Sequence, residues 1–363
     1  MNNLKEIFEQ FDSGAKFVSV RELRSGHINQ TFIIHTESSP GFILQRINHN
    51  VFPNVPALIR NKVMISEHLR KKLSELSPEE LFTRVLTFVP AASGENYVRD
   101  KEGNYWNLTV FIEESKNYLK VENERVAQEG GRLFGEFLRL TRDFDSTELF
   151  EVIPNFHSMS FRFSQFDAAF GKADPSRIEH AISLIEFANT RREEMHVLEN
   201  LIKNGELPLR VTHNDTKISN ALFSADDEGL CVIDTDTVMP GIIHFDFGDA
   251  VRTICNTSDE DERVVEKVGF QMDYFKAFSK GFIGGLGEGL SAREAEYLSE
   301  SGRNITFIIG LRFLTDYLSN DKYFHIEYDE HNLVRARAQF KLVAEIENAL
   351  PEMQEYIETL VAG

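Results

Sequence analysis

The segment His213-Asn214-Asp215-Thr216-Lys217-Ile218-Ser219-Asn220, followed fourteen residues later by Asp234 in Ile233-Asp234-Thr235-Asp236, constrains this chain more than any other stretch. Hydrophobic runs, Leu209 to Thr212 and Leu230 to Ile233, precede the two aspartates and read as short strands. Ala221-Leu222-Phe223 reads as a third, with Ser224 to Gly229 as a polar turn. The polar groups therefore sit where strands end, held by firm backbone beside open solvent. Phosphoryl transfer needs such a set. One carboxylate orients a hydroxyl and takes its proton, while an amide oxygen and a second carboxylate are hard ligands for Mg²⁺ on a nucleoside triphosphate.

The spacing H-x-D-x-K-x-x-N, with a hydrophobic strand ending in Asp, resembles the catalytic loop and metal-binding aspartate of the protein-kinase-like superfamily. Asn214 stands where protein kinases carry Arg, and no activation segment ending in Ala-Pro-Glu follows. The resemblance is thus to the aminoglycoside phosphotransferase branch, whose members phosphorylate small molecules. It implies an α+β, protein-kinase-like two-lobe fold. Residues 1–113 would form a nucleotide-binding N-lobe, a five-stranded antiparallel sheet with one main helix. Residues 114–363 would form a mainly helical C-lobe for catalysis and acceptor binding.

The order of elements agrees with that expectation. A short helix over 1–15 carries Leu4, Ile7, Phe8 and Phe11 on one face. Strands follow near 17–20, 31–35 and 41–47, then a helix near 55–73, strands near 83–89 and 106–112, and a hairpin turn at 100–104. Glu113 to Asn117 reads as the hinge. Beyond it, helices are expected near 123–141, 177–203, 260–282, 292–319 and 330–348, with Gly281 to Gly289 as an interhelix loop lacking the Lys-Ser/Thr ending of a Walker motif.

On the donor side, Ser25 and Gly26 lie in the first turn, where kinases fold a glycine-rich loop over the phosphates. Strand three lacks the expected Lys and reads Ile43-Leu44-Gln45-Arg46-Ile47, which leaves Arg46 as its cation and Glu67 on the next helix as a candidate ion-pair partner. Arg grips phosphate by a fork rather than as a point charge. Glu113 completes the nucleotide set.

On the acceptor side, Gly26-His27-Ile28-Asn29, Leu44 to Asn48, and Ile233 through Gly241 form a narrower combination, extended by Asp246 to Arg252 and Gly310 to Tyr317. Together these resemble the N-acetylhexosamine 1-kinases, which phosphorylate the anomeric hydroxyl of N-acetylglucosamine and N-acetylgalactosamine, and imply a role in salvaging sugars freed from glycans. Asp215 would then orient the sugar hydroxyl, Lys217 would steady the transferring phosphoryl group, and Asn220 and Asp234 would hold Mg²⁺, with ATP or GTP as donor. His27, Asp236, Arg312 and Tyr323 would line the sugar site. Arg312 has a second reading, as a helical partner of Asp316 one turn on. Asp246, in Phe245-Asp246-Phe247-Gly248, falls too far after Asn220 for the metal and reads as an organiser of the 213–220 loop.

Two alternatives stay open at this level: a kinase of an amino alcohol such as choline, homoserine or an aminoglycoside, and a catalytically silent kinase-like binding module. The balance of charge is −19 over 363 residues, spread along the chain, which argues against nucleic acid or an anionic membrane as partner. A small-molecule sugar and a nucleotide are the expected partners. Cys231 and Cys255 are too few for a disulfide framework, the N-terminus lacks a signal-peptide pattern, and no apolar run is long enough for a membrane span, so a cytoplasmic location is expected.

Overall fold

The computed structural model describes residues 2–23, 28–37 and 40–362. Helix α1 (Asn2–Phe8) leads into β1 (Phe17–Leu23), β2 (Gln30–Thr36) and β3 (Phe42–Ile47), then α2 (Val55–Lys72), α3 (Pro78–Arg84), β4 (Val98–Arg99) and β5 (Tyr105–Val110). The five strands form one antiparallel sheet in the order β1-β2-β3-β5-β4. Strand alternation gives the sheet two faces. Ile34, Phe42, Leu44, Trp106 and Leu108 pack on one side with Ile7, Phe8 and Phe11. On the other side Ile47 packs with Val55, Leu58 and Ile59 of α2.

The stretch expected as a strand over 83–89 divides. Ser77 accepts from the Glu80 amide and Glu80 returns the bond, so with Pro78 leading the first turn a capping box starts α3. Only the end of the stretch runs along β5, through Val89 N to Leu108 O and Val110 N to Thr87 O, both 2.9 Å. The fifth strand is β4 instead, held by the turn in which Asp100 accepts from Asn104 and from the Trp106 indole.

The C-terminal part is mainly helical: α4 (Glu124–Leu140), α5 (Met159–Phe170), α6 (Pro175–Arg191) and α7 (Val197–Lys203), then β6 (Arg210–Thr212), β7 (Ala221–Phe223), β8 (Gly229–Val232) and β9 (Met239–Gly241). Helices α8 (Ile243–Ile254), α9 (Met272–Leu286), α10 (Ala292–Glu296), α11 (Leu298–Leu318) and α12 (His331–Ala362) complete it. Two short ribbons, β6 with β9 and β7 with β8, present the loops of interest. Gly281 to Gly289 is no loop at its start: α9 runs through Leu286. A Cβ at Gly281 would stand 1.9 Å from the Gln128 carbonyl, and one at Gly131 would stand 2.2 Å from that of Phe278, so α4 and α9 meet backbone to backbone. The helix expected over 260–282 begins only at Met272. Among the described residues no helix is long and apolar enough to cross a membrane.

Candidate active site

The loop 213–220 leaves β6 and is fastened from beneath by α8. Asp246, in the first turn of α8, accepts the His213 amide with one oxygen (2.9 Å) and the Asn214 amide with the other (2.7 Å). Burial raises its carboxyl to about 6, against the opposing pull of His213 and the two amides. Asp249, one turn on, accepts the Thr216 amide at 2.9 Å and is held by Arg252, which also grips Glu260 at 2.7 Å. Asn214 sits at φ +63°, a left-handed conformation that Asn tolerates, and its amide donates to the carbonyls of Thr212 and Thr237. His213 contacts the Ile233 carbonyl through Nε2 at 2.9 Å, which ties this loop to the end of β8. The loop's shape is thus set by buried hydrogen bonds, each costly to leave unmade.

Three polar side chains gather on this platform. Asn220 donates to the backbone carbonyl and to Oδ2 of Asp215, at 2.8 and 2.9 Å. Lys217 Nζ lies 3.2 Å from the same Oδ2, and Asp215 holds its ammonium above the usual range. Asp234 caps β8 at φ +57° and opens into the cleft. Protein surrounds its other sides, and burial, then Asp236 and Asp215, push its carboxyl up to about 7. A carboxylate held under such repulsion, beside an amide whose Oδ1 receives no donor among the described residues, suits a divalent cation. Mg²⁺ takes few protein ligands and completes its shell with phosphate oxygens and water.

The donor side differs from expectation. Arg46 pairs across the sheet with Trp106, so it shares the face of Phe42 and Leu44, turned from α2. Gln45, its neighbour, faces α2. Glu67 is exposed on α2 and makes no ion pair with Arg46. The cation near the cleft is Lys62 of α2, only 4% exposed, ion-paired to Asp236 and 3.3 Å from Gln45 Oε1. Asp236, expected to face an acceptor, is 4% exposed and also takes a bond from Asn29, whose own Oδ1 accepts the Asn48 amide at 2.9 Å. Lys62 had a signal in the sequence: it is the one basic residue on the buried stripe of α2, with Leu58, Ile59, Ile65 and Ser66. Ser25, Gly26 and His27 lie outside the described residues. Glu113 Oε1 accepts the Gly41 amide at 3.4 Å, and Lys116 and Phe223 exchange backbone bonds of 2.8 Å, which joins the hinge to β7.

On the acceptor side, Asp316 does not pair with Arg312. It accepts the amides of Lys322, Tyr323 and Phe324 at 2.8–2.9 Å, which folds that loop over α11. Arg312 lies instead within reach of three rings: Phe156 at 5.4 Å, Phe324 at 5.3 Å and Tyr323 at 5.8 Å. It has no carboxylate partner among the described residues, and burial lowers its pKa while Tyr323 raises it. Arg162, 8% exposed, is likewise without an acid; it donates to the Phe156 carbonyl and to Gln165. The fields of Arg252 and Glu260 reach Arg312, and Arg252 is bound through Asp249 to Thr216, the residue after Asp215.

A kinase-like sheet, a helical C-terminal part and this loop are the parts that a phosphotransferase needs. Residues 19–277 match the phosphotransferase enzyme family (APH), and the chain belongs to it. Solved structures share the fold at low identity. An aminoglycoside phosphotransferase from Alicyclobacillus acidocaldarius subsp. acidocaldarius aligns with a TM-score of 0.66 at 16% identity, over 98% of this chain and 96% of that one. A microcompartment-associated aminopropanol kinase aligns at 0.59 and 16%, over 97% and 98%. Choline kinase LicA from Streptococcus pneumoniae aligns at 0.54 and 13%, over 95% and 99%.

Proposed function

We propose that the protein is a Mg²⁺-dependent kinase that transfers the γ-phosphoryl group of ATP or GTP to the anomeric hydroxyl of an N-acetylhexosamine. The observation that carries the acceptor reading is Arg312, caged by Phe156, Tyr323 and Phe324 without a carboxylate partner. An amino-alcohol cation entering there would meet a guanidinium with no carboxylate in contact, Glu260 acting on it only at longer range and Arg252 opposing it, so like charges would be brought together at a cost in free energy. A neutral sugar offers the reverse: hydroxyls and an acetamido carbonyl for the guanidinium, and an apolar ring face for the aromatics.

In this reading Asp215 accepts the hydrogen bond of the sugar hydroxyl, orients its oxygen in line with the γ-phosphorus and takes the proton as the new O–P bond forms. The nucleoside diphosphate departs with the electrons of the broken bond. Lys217, beside Asp215, offsets the charge on the transferring group. Asn220 and Asp234 would hold Mg²⁺, which when bound neutralises the phosphate oxygens. Lys62, buried and paired with Asp236, would have to share or leave that pair to meet the donor phosphates in place of a strand-three Lys.

The test is a panel of acceptors under radiolabelled triphosphate. N-acetylglucosamine and N-acetylgalactosamine should accept phosphate, with phosphorus NMR showing the coupling of an anomeric rather than a 6-phosphate. Phosphorylation of choline, homoserine or an aminoglycoside with none of the hexosamines would establish the amino-alcohol reading instead.

A further inference from the structure

Between α8 and α9 the chain crosses residues 256–271, which carry a run of four acids, Asp259 to Glu262. The first three each meet a basic side chain from a different part of the fold. Asp259 reaches Lys120, ahead of α4, at 2.5 Å; Glu260 reaches Arg252 of α8 at 2.7 Å; Asp261 reaches His331, the first residue of α12, at 3.1 Å. Glu262 pairs within the segment, with Lys267 at 4.0 Å. Of these contacts, the one made by Glu260 continues inward to the catalytic loop.

Arg252 lies between two carboxylates. Its Nε and Nη2 both donate to a single oxygen of Asp249, Oδ1, at 3.0 and 2.9 Å, and its Nη1 donates to Glu260 at 2.7 Å. Burial opposes the guanidinium charge, but Asp249 and then Glu260 outweigh it and hold the pKa above its ordinary value. With Oδ1 taken by Arg252, Oδ2 of Asp249 is left for the Thr216 amide at 2.9 Å. That amide belongs to the Asp215–Thr216 peptide, whose carbonyl accepts from Asn220 at 2.8 Å. A peptide is planar, so these two bonds hold one plane from opposite sides, and the Asp215 side chain projects from its edge. Two nitrogens on one oxygen leave a guanidinium able to pivot about that oxygen. The third nitrogen, on Glu260, stops the pivot.

We propose that Glu260 is a positioning residue for phosphoryl transfer: it fixes the angle of Arg252, hence which oxygen of Asp249 meets Thr216, and hence the aim of Asp215. The inference rests on Asp215 as the base, and not on the identity of the acceptor. The Glu260 side chain is 45% exposed, and an ion pair at such a surface adds little to stability. A displacement of about 1 Å at the reacting groups, by contrast, costs about a hundredfold in rate. Loss of Glu260 should therefore show in turnover and hardly in melting.

The test compares Glu260→Ala, Glu260→Asp and Asp259→Asn in the full chain. It reads turnover with MgATP and N-acetylglucosamine, and hydrogen exchange of the Thr216 amide, which needs no acceptor. Glu260→Ala should lower kcat about tenfold, as a displacement of a fraction of an ångström would, with nucleotide KM and melting temperature held. Exchange at Thr216 should quicken in the same variant. Glu260→Asp keeps the charge and should restore most of both readouts, whereas Asp259→Asn, which breaks the neighbouring pair with Lys120, should change neither. Parent-like exchange or parent-like kcat in Glu260→Ala, or an equal effect of Asp259→Asn, would overturn the proposal. A parent protein that leaves N-acetylglucosamine unphosphorylated would count against the sugar reading alone, and the exchange comparison would then decide the role of Glu260 by itself.

Discussion

At the residue scale, the two aspartates of greatest consequence do opposite things. Asp215 lies toward the cleft in a loose triangle with Lys217 and Asn220; Asp246 is wholly buried and spends both oxygens on backbone amides. Asp215→Asn should therefore cut kcat by about a hundredfold or more while the melting temperature holds, because it removes a positioned base and little packing. Steady-state turnover equal to the parent's would remove Asp215 from the mechanism. Asp246→Ala should cost about 2 kcal/mol in urea unfolding, since two buried amides lose their acceptor. Part of that loss is offset by removing a carboxyl that burial already disfavours. Asp215, Lys217 and Asn220 were readable together because they lie within six residues of one loop. Whether Gln45 or Arg46 turns to α2 is not legible in β3, because alternation gives two faces and nothing local says which one meets the helix.

At the element scale, the close pair α4 and α9 shows why a glycine-rich run need not be a loop. Gly131, Gly135, Gly281 and Gly285 each leave room for the facing helix's backbone. Gly281→Ala should force the two helices apart and destabilise the protein by about 1–3 kcal/mol, the usual range for overpacking, even though Ala is the better helix former. An unchanged urea midpoint would show that the helices can part freely. The same distinction governs the region 77–89. The capping box at Ser77 is a local signal that starts a helix running through Arg84, and so it takes the first two residues of the stretch that hydrophobic content alone suggests as a strand. Helix α8 shares Phe247, Ala250 and Val251 with the core, yet it follows β9 directly with no side-chain cap to announce its start.

At the scale of the whole molecule, Lys62 and Asp236 join the N-terminal helix to the C-terminal site. Lys62→Met should cost about 3 kcal/mol, because it strands a buried carboxylate. Lys62→Met with Asp236→Leu should recover most of that, and a double-mutant cycle with no coupling would deny the pair its role in holding the two parts together. If Lys62 also meets the donor phosphates, the nucleotide KM stays raised in the double variant although its stability returns. The sequence by itself determined the antiparallel sheet, the helical second part and the 213–220 loop, because strand periodicity, helix periodicity and motif spacing are local properties of the chain. Which cation stands at the cleft, that Asp236 turns to α2, and that Asp316 holds a loop rather than Arg312 were decided only by the tertiary structure. Each depends on which surfaces of distant elements meet, and burial then selects the partner a charge will keep.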